Sequence, residues 1–293
     1  MCLSIHTQEI TRVSEGWWQM PFAEIDGTEV YYDIQGFGEC IFLMHHGFGC
    51  SKMWDKIVPP LVEQGFKTVC YDRRGYGQTA RGRFPYDFYV SERFREESIA
   101  DLEHLRHWLG IDSFHVISHC EGGVVAADYA AAYPERVKTV VISSTMCYST
   151  MPLWQFNSQK FTKSFDQIAP GTRAKFLDWH GANTEEFFEQ FRKFGGSYGK
   201  EMFDLRPVLN KISCPTLILY PDRSFLFEVE QGVAFYRNLL HGELAVLPNC
   251  GHNTYEEKPQ EFVSHAVDFL NRHRYGNLKD LQDKSSKPVT CAG

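Results

Sequence analysis

Phe114-His115-Val116-Ile117-Ser118-His119-Cys120-Glu121-Gly122-Gly123 runs from an apolar, β-rich stretch straight into the Ala-rich helical segment VVAADYAAAYP. A strand that turns this abruptly into a helix leaves no room for bulk two positions to either side of its apex, and Ser118 and Gly122 are both small. Cys120 is the apex. The dipole and free N–H groups of a helix N-terminus favour a thiolate there, which could attack a carbonyl carbon and carry the acyl group as a thioester. The same string, taken alone, also describes an inert buried cysteine.

Outward from this turn, short β-rich runs alternate with amphipathic helical stretches, the pattern of a sheet covered by helices on both faces. FAEIDGTEVYYDIQG supplies two opening strands joined at Asp26-Gly27, a pair suited to the positive φ of a tight hairpin. IFLMHHG at 41–47, KTVCYD at 67–72, FHVISHC at 114–120, KTVVISS at 138–144, CPTLILYP at 214–221 and GELAVLPNCGH at 242–252 give six further strands. Between the sixth and seventh strands lie roughly 70 residues, far longer than an ordinary connection, so an inserted element is expected. It is rich in aromatics, and Phe187, Phe188, Phe191 and Phe194 follow helical spacing, as in an amphipathic helix or a cap roofing an apolar pocket.

The 293-residue chain carries 30 Lys plus Arg against 37 Asp plus Glu, for a formal charge of −7, with no basic run to track phosphates. Nucleic acid is therefore not an expected partner. Nine cysteines without CxxC spacing read as reduced thiols, and the first twenty residues lack the cationic start and apolar run of a signal peptide. No apolar stretch reaches the length of a bilayer span. A soluble, cytoplasmic protein with no membrane association is the expectation. No dinucleotide glycine fingerprint appears, so no cofactor is expected. Metal binding by His45-His46 is disfavoured, because adjacent strand residues face opposite ways.

Three other motifs accompany the turn: His45-His46-Gly47-Phe48 after the third strand, Asp72-Arg73-Arg74-Gly75-Tyr76-Gly77 after the fourth, and Gly251-His252 followed by Glu257, Pro259 and Phe262 after the eighth. With them the chain resembles the lid-bearing α/β-hydrolases from about residue 22 to about 270. The resemblance implies an α/β fold with a mostly parallel eight-stranded sheet flanked by helices and a helical cap between strands 6 and 7. On that reading residues 1–21 are an N-terminal extension, 22–145 and 214–275 the core, 146–213 the cap and 276–293 a flexible tail. It further implies Cys120 as nucleophile, His252 as general base, and the backbone N–H groups of Phe48 and Glu121 as oxyanion donors. His45 and His119 are expected to serve packing, and Trp17 and Trp18 to pack the extension against the body.

The acid departs from the family pattern: in Tyr220-Pro221-Asp222-Arg223-Ser224-Phe225 the usual acid position holds Ser224, with Asp222 two residues earlier. Asp222 is the expected partner of His252, Glu228 the alternative, and a Cys–His dyad remains open because a thiol needs less help than a hydroxyl to ionise. The chain is similar to fungal stand-alone polyketide thioesterases and cyclases of the Cys-His-Asp type. That similarity implies an acyl thioester substrate, on an acyl carrier protein partner, released as a lactone or free acid, with Trp154 and Trp179 of the cap as substrate contacts. Two other readings stand beside it: a hydrolase of small esters or lactones, and a non-catalytic ligand receptor on the same fold.

Overall fold

The structure, a computed structural model, describes residues 21–79, 93–194 and 201–274. Trp17, Trp18, Tyr198, the side chain of Phe194 and the tail lie outside the described residues. The strands are β1 (Phe22–Ile25), β2 (Thr28–Gln35), β3 (Glu39–Met44), β4 (Phe66–Tyr71), β5 (Phe114–His119), β6 (Val137–Ser143), β7 (Thr216–Pro221) and β8 (Gly242–Leu247). They form one sheet in the order β1-β2-β4-β3-β5-β6-β7-β8. β1 and β2 pair antiparallel through the expected hairpin, with Asp26 at φ 46° and Gly27 at φ 73°. β2 also meets β4 antiparallel, and every later pairing is parallel.

Both faces of the central strands are buried, so their apolar residues divide by alternation. In β3, Phe42 and Met44 enter the core on one face with Val116 and Ala126, while Ile41 and Leu43 enter the core on the other with Trp54 and Phe262. The α-helices among the described residues are α1 (Val58–Glu63), α2 (Arg93–Trp108), α3 (Glu121–Ala132), α4 (Leu153–Lys160), α5 (Pro170–His180), α6 (Thr184–Phe194), α7 (Arg206–Leu209), α8 (Glu230–Asn238), α9 (Thr254–Glu257) and α10 (Pro259–His273). α3 packs flush on the sheet because Ala126, Ala127 and Ala130 are small and buried.

The chain is an α/β fold with a helical insertion between β6 and β7, as expected from the connection length. Helices α4 to α7 occupy that insertion. A third apolar cluster, Phe48, Tyr76, Phe165, Phe187 and Phe188, joins it to the loop after β3. The Phe48 ring stacks on Phe187 at 4.6 Å and meets Phe176 edge-on at 4.7 Å. No helix among the described residues is long and apolar enough to cross a membrane.

Candidate active site

Cys120 stands between β5 and α3 at φ 51°, ψ −116°, a conformation that costs a residue with a Cβ on the order of 1–3 kcal/mol. Its neighbours hold it there. The Cys120 N–H donates to Ser143 O (2.8 Å), and Cys120 O accepts from Gly123 N–H (2.9 Å) and Thr145 Oγ (3.0 Å). Ser118 ties the turn to the next strand by donating its hydroxyl to Val141 O at 2.8 Å.

The next residue, Glu121, opens α3 and is buried with its carboxylate against Arg73, 2.8 Å from Nη1. Both side chains are 2% exposed. Arg73 Nη2 donates to His45 O and His46 O, so Arg73 couples the loop after β3 to the turn at Cys120. Gly47 lies against this pair, since a Cβ there would come within 2.4 Å of Glu121 Oε2. Asp72 fixes the same loop from outside by accepting from Ser51 N–H (2.6 Å) and Gln78 N–H (2.8 Å). Phe48, at φ 65°, follows Gly47. Phe48 and Glu121 both line one cavity with Cys120.

The histidines of this region are neutral and directed. His45 donates from Nδ1 to His46 O and accepts the Arg73 N–H at Nε2, a packing role as expected. His46 donates from Nδ1 to Gly47 O and accepts from Tyr255 Oη, and burial lowers its pKa to about 4. His119 donates from Nε2 to His252 O, which also accepts the Ser144 hydroxyl at 2.8 Å. Two donors from the β5 and β6 ends therefore fix the backbone of His252. Its ring meets Phe225 and Phe227 in T-shaped contacts, with centroids 5.6 and 5.5 Å away, and burial followed by the field of His46 lowers its pKa to about 3.

The expected acid is not on this ring. Asp222 accepts the Cys250 N–H at 3.0 Å, and its carboxyl is held below the usual range first by that bond and then by a second backbone N–H, from Asn249. It joins the loops after β7 and β8 instead of orienting the imidazole. The group on His252 Nδ1 is Ser224 Oγ, at 3.0 Å. Asp222 leaves β7 at a point where its side chain meets the neighbouring loop, whereas Ser224 has advanced over the histidine. No contact places Glu228 on the ring either. Ser224 occupies the usual acid position in the sequence, and the fold brings its hydroxyl to the imidazole.

Cys120, His252, Phe48 and Glu121 all line one cavity of about 360 Å³. Its walls are mainly apolar, with Phe156, Phe161, Phe176, Phe188, Phe191 and Phe227 among them, and its polar side chains include Asn157, Thr172, Lys175 and Glu256. Lys175 of α5 pairs with Glu256 of α9 at 2.9 Å across the rim. The two tryptophans expected to touch substrate do not line this space. Trp154 is 56% exposed on the outside of α4, and Trp179 is buried behind the wall against His46 and Phe176. A helix presents successive residues about 100° apart, so Phe156 and Asn157 face inward where Trp154 faces solvent. Among the described residues no group of three or more His, Cys, Asp or Glu could hold a metal ion.

Residues 41–190 match the family model for the alpha/beta hydrolase fold. The chain belongs to the α/β-hydrolase fold family. Among similar α/β-hydrolases, the proline iminopeptidase of Heyndrickxia coagulans is 24% identical, over 85% of this chain and 98% of its own length. The 2-hydroxy-6-oxo-6-phenylhexa-2,4-dienoate hydrolase of Burkholderia cepacia is 23% identical, over 84% and 92%. The solved structure of the enol-lactonase from Burkholderia xenovorans LB400 superposes with a TM-score of 0.70 at 20% identity, covering 86% of this chain and all of that one. None of these three bears the name of a thioesterase or cyclase. At this identity the structural likeness speaks for the α/β-hydrolase fold and not for a substrate.

Proposed function

We propose that this α/β-hydrolase is an acyl hydrolase that cleaves an ester or lactone of an apolar acid through an acyl group carried on Cys120. The observation that carries the reading is that Cys120, on its strained turn, shares one largely apolar cavity with His252, Phe48 and Glu121. The Cys120 sulfur attacks the carbonyl carbon, and the C–S bond forms as the carbonyl electrons move onto oxygen. The Phe48 and Glu121 amides stabilise that oxyanion. Collapse expels the alkoxide, which takes a proton, and water then attacks the acyl thioester, releasing the acid and restoring the thiol. On this reading His252, which lines the same cavity, moves protons between sulfur, leaving group and water. The hydrolase, peptidase and lactonase names of the relatives support hydrolytic cleavage in general terms.

A second reading is release of an acyl chain from a carrier thioester, by hydrolysis or by attack of the chain's own hydroxyl. The thiol at the turn favours it. A sulfur nucleophile exchanges with thioesters near thermoneutrality, while an ester obliges it to expel an alkoxide in competition with its own departure. The phenylalanine walls would also keep water from a folded acyl chain.

The test is mass spectrometry of Cys120-containing peptides after incubation with a medium-chain p-nitrophenyl ester, a δ-lactone and a hydroxyacyl thioester. The first reading expects turnover of the ester and lactone and a transient acyl mass on Cys120. Turnover of the thioester alone, with lactone as product, would put the second reading in its place. An acyl mass on Cys147 or Cys50, or on no cysteine, would sink both.

A further inference from the structure

Ser224 Oγ has three polar neighbours and a fixed capacity to serve them. The Leu226 N–H lies 3.2 Å away, the Phe227 N–H 3.1 Å and His252 Nδ1 3.0 Å. A hydroxyl has two lone pairs and one proton. Amide N–H groups can only donate, so Leu226 and Phe227 take up the two lone pairs, and the hydroxyl proton is what remains for the imidazole. An imidazole nitrogen that accepts a proton in a hydrogen bond carries none of its own, so a neutral ring then has its hydrogen on the other nitrogen.

We infer that Ser224 is a positioning residue which donates its hydroxyl to His252 Nδ1 and holds the resting imidazole in the Nε2–H tautomer, the reverse of what a carboxylate at this place would impose. The inference concerns the same site as the proposed hydrolase but rests on the hydrogen-bond inventory of Ser224, not on the substrate.

Among the described residues, the hydrogen-bond partners around the ring are consistent with it. His252 O is occupied by His119 and Ser144, the ring meets Phe225 and Phe227 in T-shaped contacts, and the near carboxylate, Asp222, is on Cys250 N–H. Among the described residues, the titratable groups near the ring include His46 from the loop after β3, His119 from β5, Cys120 from the turn, and Tyr255 and Glu256 from α9. His46 and His119 are buried, with their pKa values lowered, so neither supplies a charge.

The consequence is a division of labour. With Nε2 protonated the ring presents a donor to the cavity, able to hold a thiolate or a carbonyl oxygen but not to take a proton. To act as a base the ring must move its hydrogen to Nδ1, and Ser224 must then release one backbone amide to accept it. The serine permits both forms and favours the first; an aspartate would permit only the second.

The experiment is long-range proton–nitrogen NMR of the ¹⁵N-histidine-labelled protein, without substrate, at pH 7.5, with the His252 signals assigned by their loss in His252→Gln. The expected wild-type pattern is a protonated Nε2 and a bare Nδ1. In Ser224→Asp the pattern should invert, since a carboxylate can only accept. Ser224→Thr keeps the hydroxyl and should keep the wild-type pattern, which separates the hydroxyl's effect from mere disturbance of the loop. A bare Nε2 with protonated Nδ1 in the wild type, or no inversion in folded Ser224→Asp, overturns the inference. Because no substrate is present, the result stands whether or not the ester, lactone and thioester assays succeed. Where those assays show turnover, Ser224→Asp should raise the hydrolytic rate by at least about tenfold, since a fixed Nδ1–H leaves Nε2 free as base.

Discussion

Gly122 lies so close to the carbonyl oxygen of Met44 that a Cβ on it would sit 2.3 Å away. The first turn of α3 is thereby pressed onto the end of β3, where the loop carrying Phe48 begins. Both neighbours of that absent Cβ are backbone, since His45 O would be 2.7 Å away, so no side chain can swing aside.

Gly122→Ala is therefore expected to cost about 1–3 kcal/mol of stability by overpacking. It should also slow acylation of Cys120, because the Glu121 and Phe48 amides move apart. Urea unfolding and the rate of Cys120 labelling by a p-nitrophenyl ester are the measurements. Unchanged values in both would show that the approach of helix and loop has slack.

The Arg73–Glu121 pair is buried at 2% side-chain exposure on each partner. Removing the negative charge leaves the guanidinium without its counter-ion in the interior. Glu121→Gln is expected to destabilise the fold by about 3–5 kcal/mol, read from the shift in the urea midpoint at constant slope. A loss under about 1 kcal/mol would mean that the carbonyls of His45 and His46 suffice for Arg73.

Asp222→Asn removes a carboxylate that serves Cys250 N–H and not the imidazole. An effect on kcat below about tenfold is expected, against the roughly 10⁴-fold that follows when a catalytic histidine loses its acid. His252→Ala, by contrast, should abolish turnover. Comparing kcat for the two variants on one ester is the check, and a thousand-fold loss in Asp222→Asn would place the carboxylate on the ring during catalysis.

Burial holds His46 and His180 near pKa 4 and His252 near 3, all below the ordinary value of 6.5. The unfolded chain binds protons at these residues at a higher pH than the folded one, so their contribution is complete above pH 6.5. It is lost progressively as pH falls toward 4. Asp72 and Asp101 are raised by burial and act in the opposite direction, but ordinary carboxylates titrate about two units below imidazoles. The urea midpoint should therefore decline between pH 7 and pH 5.5. A flat midpoint over that interval would contradict neutral burial of these rings.

How far the sequence could be read depended on whether a residue's role is local. The hairpin at Asp26-Gly27, the tight turn around Cys120 and the amphipathic phenylalanines of α6 were legible, because backbone conformation and periodicity are properties of neighbouring residues. The fold followed from them, together with the spacing of the motifs after β3, β4 and β8. Which side chain meets His252 was not legible. Asp222 and Ser224 are two residues apart in the chain, and the choice between them depends on where the loop after β8 offers the Cys250 N–H.

The cavity wall was hidden for the same reason. Trp154 carries the larger ring, but helix phase turns it to solvent and turns Phe156 and Asn157 inward. The sequence by itself determined a parallel sheet, its insertion and a cysteine at the strand-to-helix turn, since steric demands at one residue and alternation along a strand are written in consecutive positions. Only the tertiary structure decided that a serine hydroxyl faces the imidazole, that Arg73 binds the Phe48 loop to Glu121, and that phenylalanines line the cavity. Those are meetings between segments far apart in sequence, and hydrogen-bond geometry and packing select them only once the sheet has brought the loops together.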